Sequence, residues 1–262
     1  MIKAIFFDVD GTLFSHRTNS ISDSSKLALK KLKQQGIKSF VATGRHILEL
    51  KEMPMEDVED LEFEGFITLN GQYCYNRNEV IYSQPIYKND LQNFRDSLKN
   101  YAYASCFFEK DRKYLNYCDE AVREVYQRMA SPIPEIINPE LTAMEPVYQI
   151  SVYGIAETEE WRLQKLMPNC QFTRWHSLAI DVLSAQGGKA RGIEAVLSHY
   201  GIKKEECMAF GDAMNDIEML DYVGIGIAMG NGKEQVKSHA DYVTEDAEHD
   251  GIMNALKKYD VL

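Results

Sequence analysis

The sequence predicts an α/β fold, a Rossmann-like doubly wound parallel sheet interrupted by an inserted α+β domain. Two observations indicate this class. Near both ends of the chain, short apolar runs with the length of buried strands alternate with amphipathic helical segments, as in parallel sheets whose strands are joined by helices. In the middle, pairs of strands joined by hairpins replace that alternation. We therefore predict a core of residues 1–80 and 184–262, with an inserted domain of residues 81–183 between them.

The individual elements follow from apolar periodicity, turn residues and helix stops. The first core segment predicts a strand at 4–7, a helix at 22–35, a strand at 37–41, a short helix around 48–50, an acidic loop at 56–62, a strand at 65–69 and a hairpin of 73 with 80–82. The inserted domain predicts helices at 90–99, 120–129 and 157–166, and strands at 104–109, 113–117, 147–153, 171–175 and 179–183. The last core segment predicts helices at 189–200 and 252–259, and strands at 207–210, 223–228 and 242–243.

Composition limits the class of partner. The chain has 262 residues, with 29 Lys and Arg against 40 Asp and Glu, so its net charge is 29 − 40 = −11. Nucleic acids and anionic membranes bind basic surfaces, so we expect neither as a partner. The 5 cysteines are scattered without a C-x-x-C pair, which predicts a cytoplasmic protein that lacks a zinc site and a disulfide framework. No apolar run has the length of a membrane span or the pattern of a signal peptide, and we expect a monomer.

Two aspartates, Asp8 and Asp10, end the first predicted strand and are followed by Gly11. Side chains alternate along a strand, so both carboxylates point the same way if the extended geometry continues through Val9. Like charges held that close repel, and each is costly to desolvate. A hard divalent cation with oxygen ligands, such as Mg²⁺, is the expected counter-charge. The alternative is an ordinary turn, since Asp-x-Asp-Gly also occurs in loops after strands.

Polar residues also follow the other predicted core strands. Thr43 and Asn70 follow the second and third strands, and Asp212 follows the strand at 207–210. Lys189 begins a core helix, where a cation is disfavoured unless an anion lies nearby. Parallel sheets bind ligands beyond the carboxyl ends of their strands, so we expect these residues to meet Asp8 at one edge of the core sheet.

Four motifs together resemble those of the haloacid dehalogenase superfamily. They are Asp8-Val9-Asp10-Gly11-Thr12-Leu13, Ala42-Thr43-Gly44-Arg45, Lys189 after a glycine pair, and Gly211-Asp212-x-x-Asn215-Asp216. The form of the fourth motif, Asn70-Gly71, and the insert between the second and third motifs are similar to the Cof-type sugar phosphatases, in which the insert is a cap domain. The cap has no motif that names a substrate.

The resemblance implies a Mg²⁺-dependent phosphatase that hydrolyses small phosphorylated metabolites, with sugar (hexose) phosphates as the expected substrates, through an aspartyl-phosphate. It implies Asp8 as the nucleophile and Asp10 as the general acid and base. The phosphate-binding residues that it implies are Thr43, Gly44, Arg45, Lys189 and Asn215. The metal ligands that it implies are Asp8, the backbone carbonyl of Asp10, Asp212, and Asp216 either directly or through water.

Several of these residues also have a structural interpretation. Lys189 by itself fits a solvated residue in the first turn of a helix. Thr43 is also expected to be the N-cap of the next helix. Asp212 and Asp216, four apart, would repel each other on one helix face unless a metal or Lys189 relieves the repulsion. Arg45 is expected to brace other side chains of the site rather than to contact phosphate directly.

Two other functions stay open at this point. A phosphorylated signalling receiver also combines an acidic pair with a phospho-acceptor Asp, a Thr and a Lys, although there the pair and the acceptor lie on different strands. A phosphomutase of the same superfamily would transfer the phosphoryl group within a sugar instead of to water.

Overall fold

The computed structural model describes residues 1–53, 63–129, 131–138 and 145–262. The predicted acidic loop at 56–62 lies outside these residues. The described chain forms two compact units. Met1–Ser83 and Gly188–Leu262 make up the core unit, and Gln84–Gly187 make up the inserted unit. The domain limits at 80/81 and 183/184 and the cap role of the insert stay predictions.

The secondary structure follows the predicted pattern. The strands are β1 Ala4–Phe7, β2 Phe14–Ser15, β3 Ser20–Ile21, β4 Lys38–Ala42, β5 Gly65–Thr68, β6 Tyr73–Asn76, β7 Val80–Ser83, β8 Ala104–Phe108, β9 Lys113–Leu115, β10 Gln149–Tyr153, β11 Cys170–His176, β12 Ala179–Ser184, β13 Cys207–Gly211, β14 Ile225–Ala228 and β15 Tyr242–Val243. The helices are α1 Asp23–Gln34, α2 Ile47–Glu52, α3 Lys88–Ser97, α4 Glu120–Arg128, α5 Glu160–Leu166, α6 Lys189–Tyr200, α7 Ile217–Tyr222, α8 Glu234–Lys237 and α9 Gly251–Lys258. Apolar periodicity located most of these elements to within a few residues, whereas β2, β3, α7 and α8 were not predicted.

The core unit is built on an 8-stranded sheet with the order β15-β14-β13-β1-β4-β5-β6-β7. The pairs from β15 through β5 are parallel, whereas β6 and β7 extend the sheet as an antiparallel hairpin. The chain leaves β1 toward β4 on one side and later returns to β13 on the other side. The connections that follow β1 and β13 therefore run in opposite directions across the sheet, which leaves a crevice beside β1. Doubly wound sheets bind ligands at such a crevice. The predicted α/β fold class is confirmed.

Both faces of this sheet are buried because alternate residues of β1 enter different apolar layers. Ile5 and Phe7 pack in the layer that contains α1 and α9, and Ala4 and Phe6 pack in the layer that contains α6 and α7. All four are fully buried. A strand covered on both faces has to be apolar throughout, which explains why the run is continuous rather than alternating. Asp8, the next residue, is thereby held at a fixed point just beyond the buried strand.

The inserted unit has a separate, 5-stranded sheet with the order β11-β12-β10-β8-β9, in which all neighbouring pairs are antiparallel. Its own apolar cluster joins one face of the sheet to α3 and α5, through Phe94, Leu163, Phe107 and Ile150 among others. The unit thus has an independent core. In the described part of the chain, no helix has the length and apolar character needed to cross a bilayer.

Candidate active site

A buried cluster of charges lies at the point where the sheet order reverses. Lys189 donates hydrogen bonds from Nζ to Oδ1 of Asp8 at 2.7 Å and to Oδ1 of Asp216 at 2.5 Å. The exposed fractions of the three side chains are 0% for Lys189, 7% for Asp8 and 0% for Asp216. Charges this deeply buried are stable only when they are paired, so the three side chains form one electrostatic unit.

Lys189 is the first residue of α6, and no side chain caps that end of the helix. Its interpretation as a solvated surface residue is wrong, because the carboxylates draw its ammonium into the protein. Burial by itself would lower the pKa of Lys189, but Asp216 and Asp8 outweigh burial and raise it. The ammonium is therefore a permanent positive charge in the site.

Asp216 is held by the loop that precedes it. Its Oδ2 accepts hydrogen bonds from the backbone N–H groups of Asp212 at 3.0 Å and Ala213 at 2.9 Å. The expectation that Asp212 and Asp216 share one helix face is wrong, since Asp216 ends a 3-10 turn, Met214–Asp216, and α7 starts only after it. The two backbone donors stabilise the Asp216 carboxylate in place of the helical arrangement.

Asp212 approaches the cluster from the end of β13. Thr12 donates to its Oδ1 at 3.1 Å, and the side chain of Asn231 donates to its Oδ2 at 3.3 Å. Gly11 has φ +84°, and a Cβ at that position would overlap the Asp212 carboxylate. Burial and the charge of Asp216 raise the pKa of Asp212 to about 6. The first and fourth motifs are thus in direct contact.

The pKa of Asp8 is also displaced. Burial raises it well above its ordinary value, and the charges of Asp216, Asp10 and Asp212 add to the increase, against the opposing effect of Lys189. One ammonium therefore does not neutralise this group of carboxylates, and a further positive charge would stabilise it.

Asp10 lies outside this cluster and is clamped by two basic side chains. Arg45 donates from Nε to Oδ2 and from Nη2 to Oδ1, both at 2.6 Å. Nε2 of His16 lies 2.7 Å from the same Oδ1. Burial alone would raise the pKa of Asp10, but the hydrogen bonds from His16 and Arg45 outweigh it and hold the pKa far below its usual range. Asp10 is therefore held as a carboxylate, and Arg45 acts here as a brace.

The backbone between the two aspartates is not a continuation of the strand. β1 ends at Phe7, and the chain then turns, with Gly11 N–H donating to the carbonyl of Phe14 at 2.8 Å. Alternation along an extended strand therefore does not place Asp10. The turn instead directs its carboxylate toward Arg45, although the charge of Asp10 still acts on Asp8.

The second motif forms a tight turn after β4. The hydroxyl of Thr43 accepts from Arg45 N–H at 3.1 Å, and its carbonyl accepts from Asn70 N–H at 3.0 Å. Thr43 is not the cap of α2, because His46 takes that position, with its side chain accepting from Leu48 N–H. The extra residues between Thr43 and the helix leave the Thr43 turn at the sheet edge.

Gly44 and Asn215 lie around Asn70. Asn215 donates from Nδ2 to Oδ1 of Asn70 at 2.8 Å, and a Cβ at Gly44 would lie only 3.1 Å from that same oxygen. Gly44 and Asn215, two of the predicted phosphate-binding residues, thus both adjoin Asn70, the residue that the sequence places just after the third strand. The contacts link the second and fourth motifs across the edge of the sheet.

The comparison with family models decides the membership of this chain. The model described as haloacid dehalogenase-like hydrolase matches residues 5–256. The chain belongs to the haloacid dehalogenase-like hydrolases. Its predicted family is thereby confirmed, and the four motifs that suggested it are the ones that meet in the core unit.

Three similar proteins narrow the placement within the haloacid dehalogenase-like hydrolases. YkrA of Bacillus subtilis (strain 168), which carries a provisional name as a phosphatase, is 32% identical over 261 residues, covering 99% of this chain and 98% of YkrA. The structure of BT1666 from Bacteroides thetaiotaomicron, studied among the phosphatases of the superfamily, has a TM-score of 0.90 with 34% identity, covering 100% of this chain and 96% of that one. The structure of BT4131, a subclass IIB sugar phosphatase, has a TM-score of 0.85 with 35% identity, covering 99% and 100%. This haloacid dehalogenase-like hydrolase is a phosphatase of that superfamily.

The sequence did not predict the roles of three residues in the site of this haloacid dehalogenase-like hydrolase. Thr12 and Asn231 bind Asp212, and His16 binds Asp10. Asn231 had a signal, because it follows the predicted strand that became β14 and so lies at the same sheet edge. His16 had none, since its approach to Asp10 depends on the short β2–β3 hairpin.

Haloacid dehalogenase-like phosphatases generally use a divalent metal, and the site can be tested for one. Ligand oxygens of Asp8, Asp212 and Asp216 all lie within 4.8 Å of one another. When all three carboxylates are ionised, they and Lys189 carry −3 + 1 = −2 charges, which a divalent cation balances. The donors are hard carboxylate oxygens without sulfur or imidazole, the set preferred by Mg²⁺ and Ca²⁺ rather than by zinc. The residues therefore fit a divalent cation.

Proposed function

We propose that this protein is a Mg²⁺-dependent phosphatase that hydrolyses small sugar phosphates through an aspartyl-phosphate on Asp8. The observation that carries the proposal is the convergence of Asp8, Asp212 and Asp216 around Lys189 at the point where the strand order reverses. Hydrolysis of phosphate monoesters is extremely slow without a catalyst, and enzymes accelerate it mainly by positioning and by neutralising charge. A buried group of carboxylates with one fixed ammonium suits that task.

Asp8, Asp212 and the backbone carbonyl of Asp10 would hold the magnesium ion, with Asp216 binding it directly or through water. Both oxygens of Asp216 already accept hydrogen bonds, from Lys189 and from two backbone amides. We therefore favour the arrangement in which Asp216 orients Lys189 and reaches the metal through water. When bound, magnesium would offset the repulsion between the attacking carboxylate and the phosphoryl oxygens.

Asp8 is the proposed nucleophile. Its free carboxylate oxygen attacks phosphorus, the bond between phosphorus and the ester oxygen breaks, and the phosphoryl group becomes attached to Asp8. Lys189 fixes the other oxygen of Asp8 at 2.7 Å, which orients the carboxylate and leaves one oxygen for attack. The same ammonium would pair with an incoming phosphoryl oxygen.

Asp10 is the proposed acid and base. In the first step it gives a proton to the departing alkoxide, and in the second step it takes a proton from the water that attacks the aspartyl-phosphate, which releases inorganic phosphate and frees Asp8. The Arg45 and His16 clamp favours the carboxylate, the form that the second step requires. For the first step, the negative charge of a bound phosphoryl group raises the pKa of Asp10 toward the protonated form.

The phosphate-binding role of the second motif rests on its turn geometry. Thr43 is buried, its hydroxyl is fixed by Arg45 N–H, and Gly44 leaves the neighbouring backbone without a Cβ. Backbone N–H groups in such a turn, together with the Thr43 hydroxyl and the Asn215 amide, are the donors that we propose for the phosphoryl oxygens. Arg45 is proposed to reach phosphate only if it leaves Asp10.

The substrate class is supported by the likeness to the subclass IIB sugar phosphatase BT4131. We propose that the inserted unit, Gln84–Gly187, acts as the cap and selects among small phosphorylated metabolites. The net charge of −11 separately favours a small-molecule substrate over a nucleic acid or membrane partner.

Phosphate release from a panel of phosphorylated metabolites, with Mg²⁺ or with EDTA, tests this proposal directly. We expect release that depends on Mg²⁺, with hexose phosphates as the best substrates. Interconversion of hexose 1- and 6-phosphates without net phosphate release would instead identify a phosphomutase. A phosphoprotein that persists without turnover would identify a signalling protein.

The roles of the two aspartates can be separated by two variants. Asp8→Asn should abolish turnover while the circular dichroism spectrum stays unchanged, because the amide is not a nucleophile. Asp10→Asn should slow both half-reactions, so mass spectrometry should detect the aspartyl-phosphate when release is slowed more than formation. Substantial turnover by Asp8→Asn would refute the covalent mechanism, and unchanged half-reactions in Asp10→Asn would refute the acid–base role.

A further inference from the structure

The core unit has a second cleft, at the edge of the sheet opposite Asp8. Its volume is about 320 Å³, within the range of small-molecule sites. It is lined by the start of β4, the residues before β5, the turn between β6 and β7, and the ends of α1 and α6. The length of strand β4 separates the cleft from the edge of the sheet where Asp8 and Thr43 lie, which we call the catalytic edge, because Lys38 begins that strand whereas Thr43 follows its end. The cleft is therefore distinct from the site around Asp8.

Charge is the first property that indicates a ligand. Lys38 and Arg77 line the cleft, and among the described residues Glu64 is the carboxylate beside them, so these three side chains carry 2 − 1 = +1 in a chain of net charge −11. Lys38 is held by Glu64 at 2.9 Å and lies 4.9 Å from the centre of the Tyr200 ring. A rigid basic site of this kind attracts anions.

Arg77 is the free cation of the cleft. It lies in the turn between β6 and β7, is exposed to solvent, and makes no hydrogen bond or ion pair with any residue that the structure describes. The turn itself is ordered by the side chain of Asn76, which accepts from the N–H groups of Asn78 at 2.8 Å and Glu79 at 2.9 Å. A guanidinium on an ordered turn is available for a bidentate contact with carboxylate or phosphate.

The interior of the cleft supplies apolar surface and one unpaired polar group. Leu29, Ile37, Phe63 and the Tyr200 ring contribute the apolar lining. The hydroxyl of Ser39 is buried and has no hydrogen-bond partner among the described residues. Burying a hydroxyl without a partner is unfavourable, so a rotation of the Ser39 side chain that brought its hydroxyl to a ligand oxygen would relieve that cost.

We propose that this cleft is a binding site for a small organic anion, a carboxylate or phosphate attached to a compact, partly apolar body. The anionic group would pair with Arg77, and the body would lie on Phe63 with a polar atom toward Ser39. The volume equals about ten water molecules, which matches a ligand of small-metabolite size and excludes a polymer. The proposal does not depend on the catalytic mechanism, because no residue of the cleft takes part in it.

The probe is phenylphosphonate, which combines a ring with a phosphonate whose carbon–phosphorus bond a phosphatase of this type does not cleave. Amide shifts of the full-length, ¹⁵N-labelled protein are followed by NMR as the probe is added up to about 10 mM, a range that detects weak binding. We expect saturable shifts at Gly36, Ser39 and Asn76 with one dissociation constant. Gly11 and Gly44 report separately on any binding at the catalytic edge.

Two charge-reversal variants provide the matched comparison. Arg77→Glu should weaken binding at the cleft about tenfold or more, because it replaces the free cation with an anion. Lys30→Glu makes the same change on an exposed residue of α1 that does not line the cleft and should leave the dissociation constant unchanged. Both positions are exposed, so we expect both variants to fold.

Three results would overturn the proposal. The first is the absence of saturable shifts at Gly36, Ser39 and Asn76 with phenylphosphonate. The second is shifts confined to Gly11 and Gly44, which would place the probe at the catalytic edge only. The third is equal weakening by Arg77→Glu and Lys30→Glu, which would indicate a general effect of net charge.

Discussion

Replacing Lys189 with methionine tests whether the buried charge cluster governs the stability of the core unit. Methionine has nearly the length of lysine and keeps the apolar part of the side chain, but it removes the ammonium. Asp8 then loses its hydrogen bond from Lys189 at 2.7 Å, and Asp216 loses its bond from Lys189 at 2.5 Å while keeping its two backbone donors. Removing one partner of a buried ion pair costs about 3–5 kcal/mol, because the other charge stays buried and unpaired.

The loss in Lys189→Met should depend on pH. The ammonium lowers the pKa of Asp8, so its removal raises that pKa further above the ordinary value. A carboxyl group with a raised pKa contributes stability below its unfolded-state pKa, and that contribution is lost as the pH rises through the folded-state pKa. The destabilisation should therefore be small near pH 5 and reach about 3–5 kcal/mol near pH 8.

Urea unfolding in EDTA, followed by far-ultraviolet circular dichroism, measures this difference. Both tryptophans, Trp161 and Trp175, lie in the inserted unit, so tryptophan fluorescence follows that unit separately. Lys30→Met is the control, since it removes an exposed lysine of α1 and should change the unfolding free energy by less than about 0.5 kcal/mol. A loss below about 1 kcal/mol near pH 8 for Lys189→Met, or a loss independent of pH, would refute the reasoning.

Three further outcomes are expected. In EDTA the stability should fall by about 2 kcal/mol between about pH 4 and pH 7, because the pKa of Asp212 is raised from 3.8 to about 6 and the unfolded chain gives up this proton at a lower pH than the folded protein does. Mg²⁺ should restore the loss, and a flat thermal-unfolding profile over this pH range would contradict the expectation. Gly11→Ala should weaken Mg²⁺ binding and activity, because the added Cβ would overlap the Asp212 carboxylate. Gly36→Ala is the control: Gly36 also has positive φ, but a Cβ there would meet nothing within 4 Å. That variant should lower only the unfolding free energy, by about 1–2 kcal/mol in urea unfolding. His16→Ala should lower kcat about tenfold. His16→Gln should keep most of the wild-type kcat, because the Gln amide can replace Nε2 as a donor to Asp10. Equal losses of kcat in the two variants would rule out a positioning role for His16.

Sequence patterns identified most of the site because the chemistry is carried by short motifs at predictable places. Asp8, Thr43 and Asp212 each follow a core strand, and the carboxyl ends of parallel strands meet at one edge. Lys189 was suspected because a cation at the start of a helix requires an anion nearby, and the structure supplies two. These inferences needed only local periodicity and the general behaviour of parallel sheets.

The errors came where a local rule met a contact from elsewhere in the chain. Thr43 has the chemistry of a helix cap, yet its hydroxyl is taken by Arg45 N–H and His46 caps α2. Asp216 is placed by the loop amides of Asp212 and Ala213 rather than by a helix. A residue type lists the hydrogen bonds that are available to it, but its neighbours in space determine which one forms.

The sequence by itself determined the family, the alternation of strands and helices, and the residue types at the catalytic edge, because each depends on neighbours a few positions apart. Only the tertiary structure decided which charges are paired. The contact between Thr12 and Asp212 joins residues 200 positions apart, and the clamp of Arg45 on Asp10 joins residues 35 apart. The energies of such pairs depend on burial and on distances of a few ångströms, and both quantities exist only once the chain has folded.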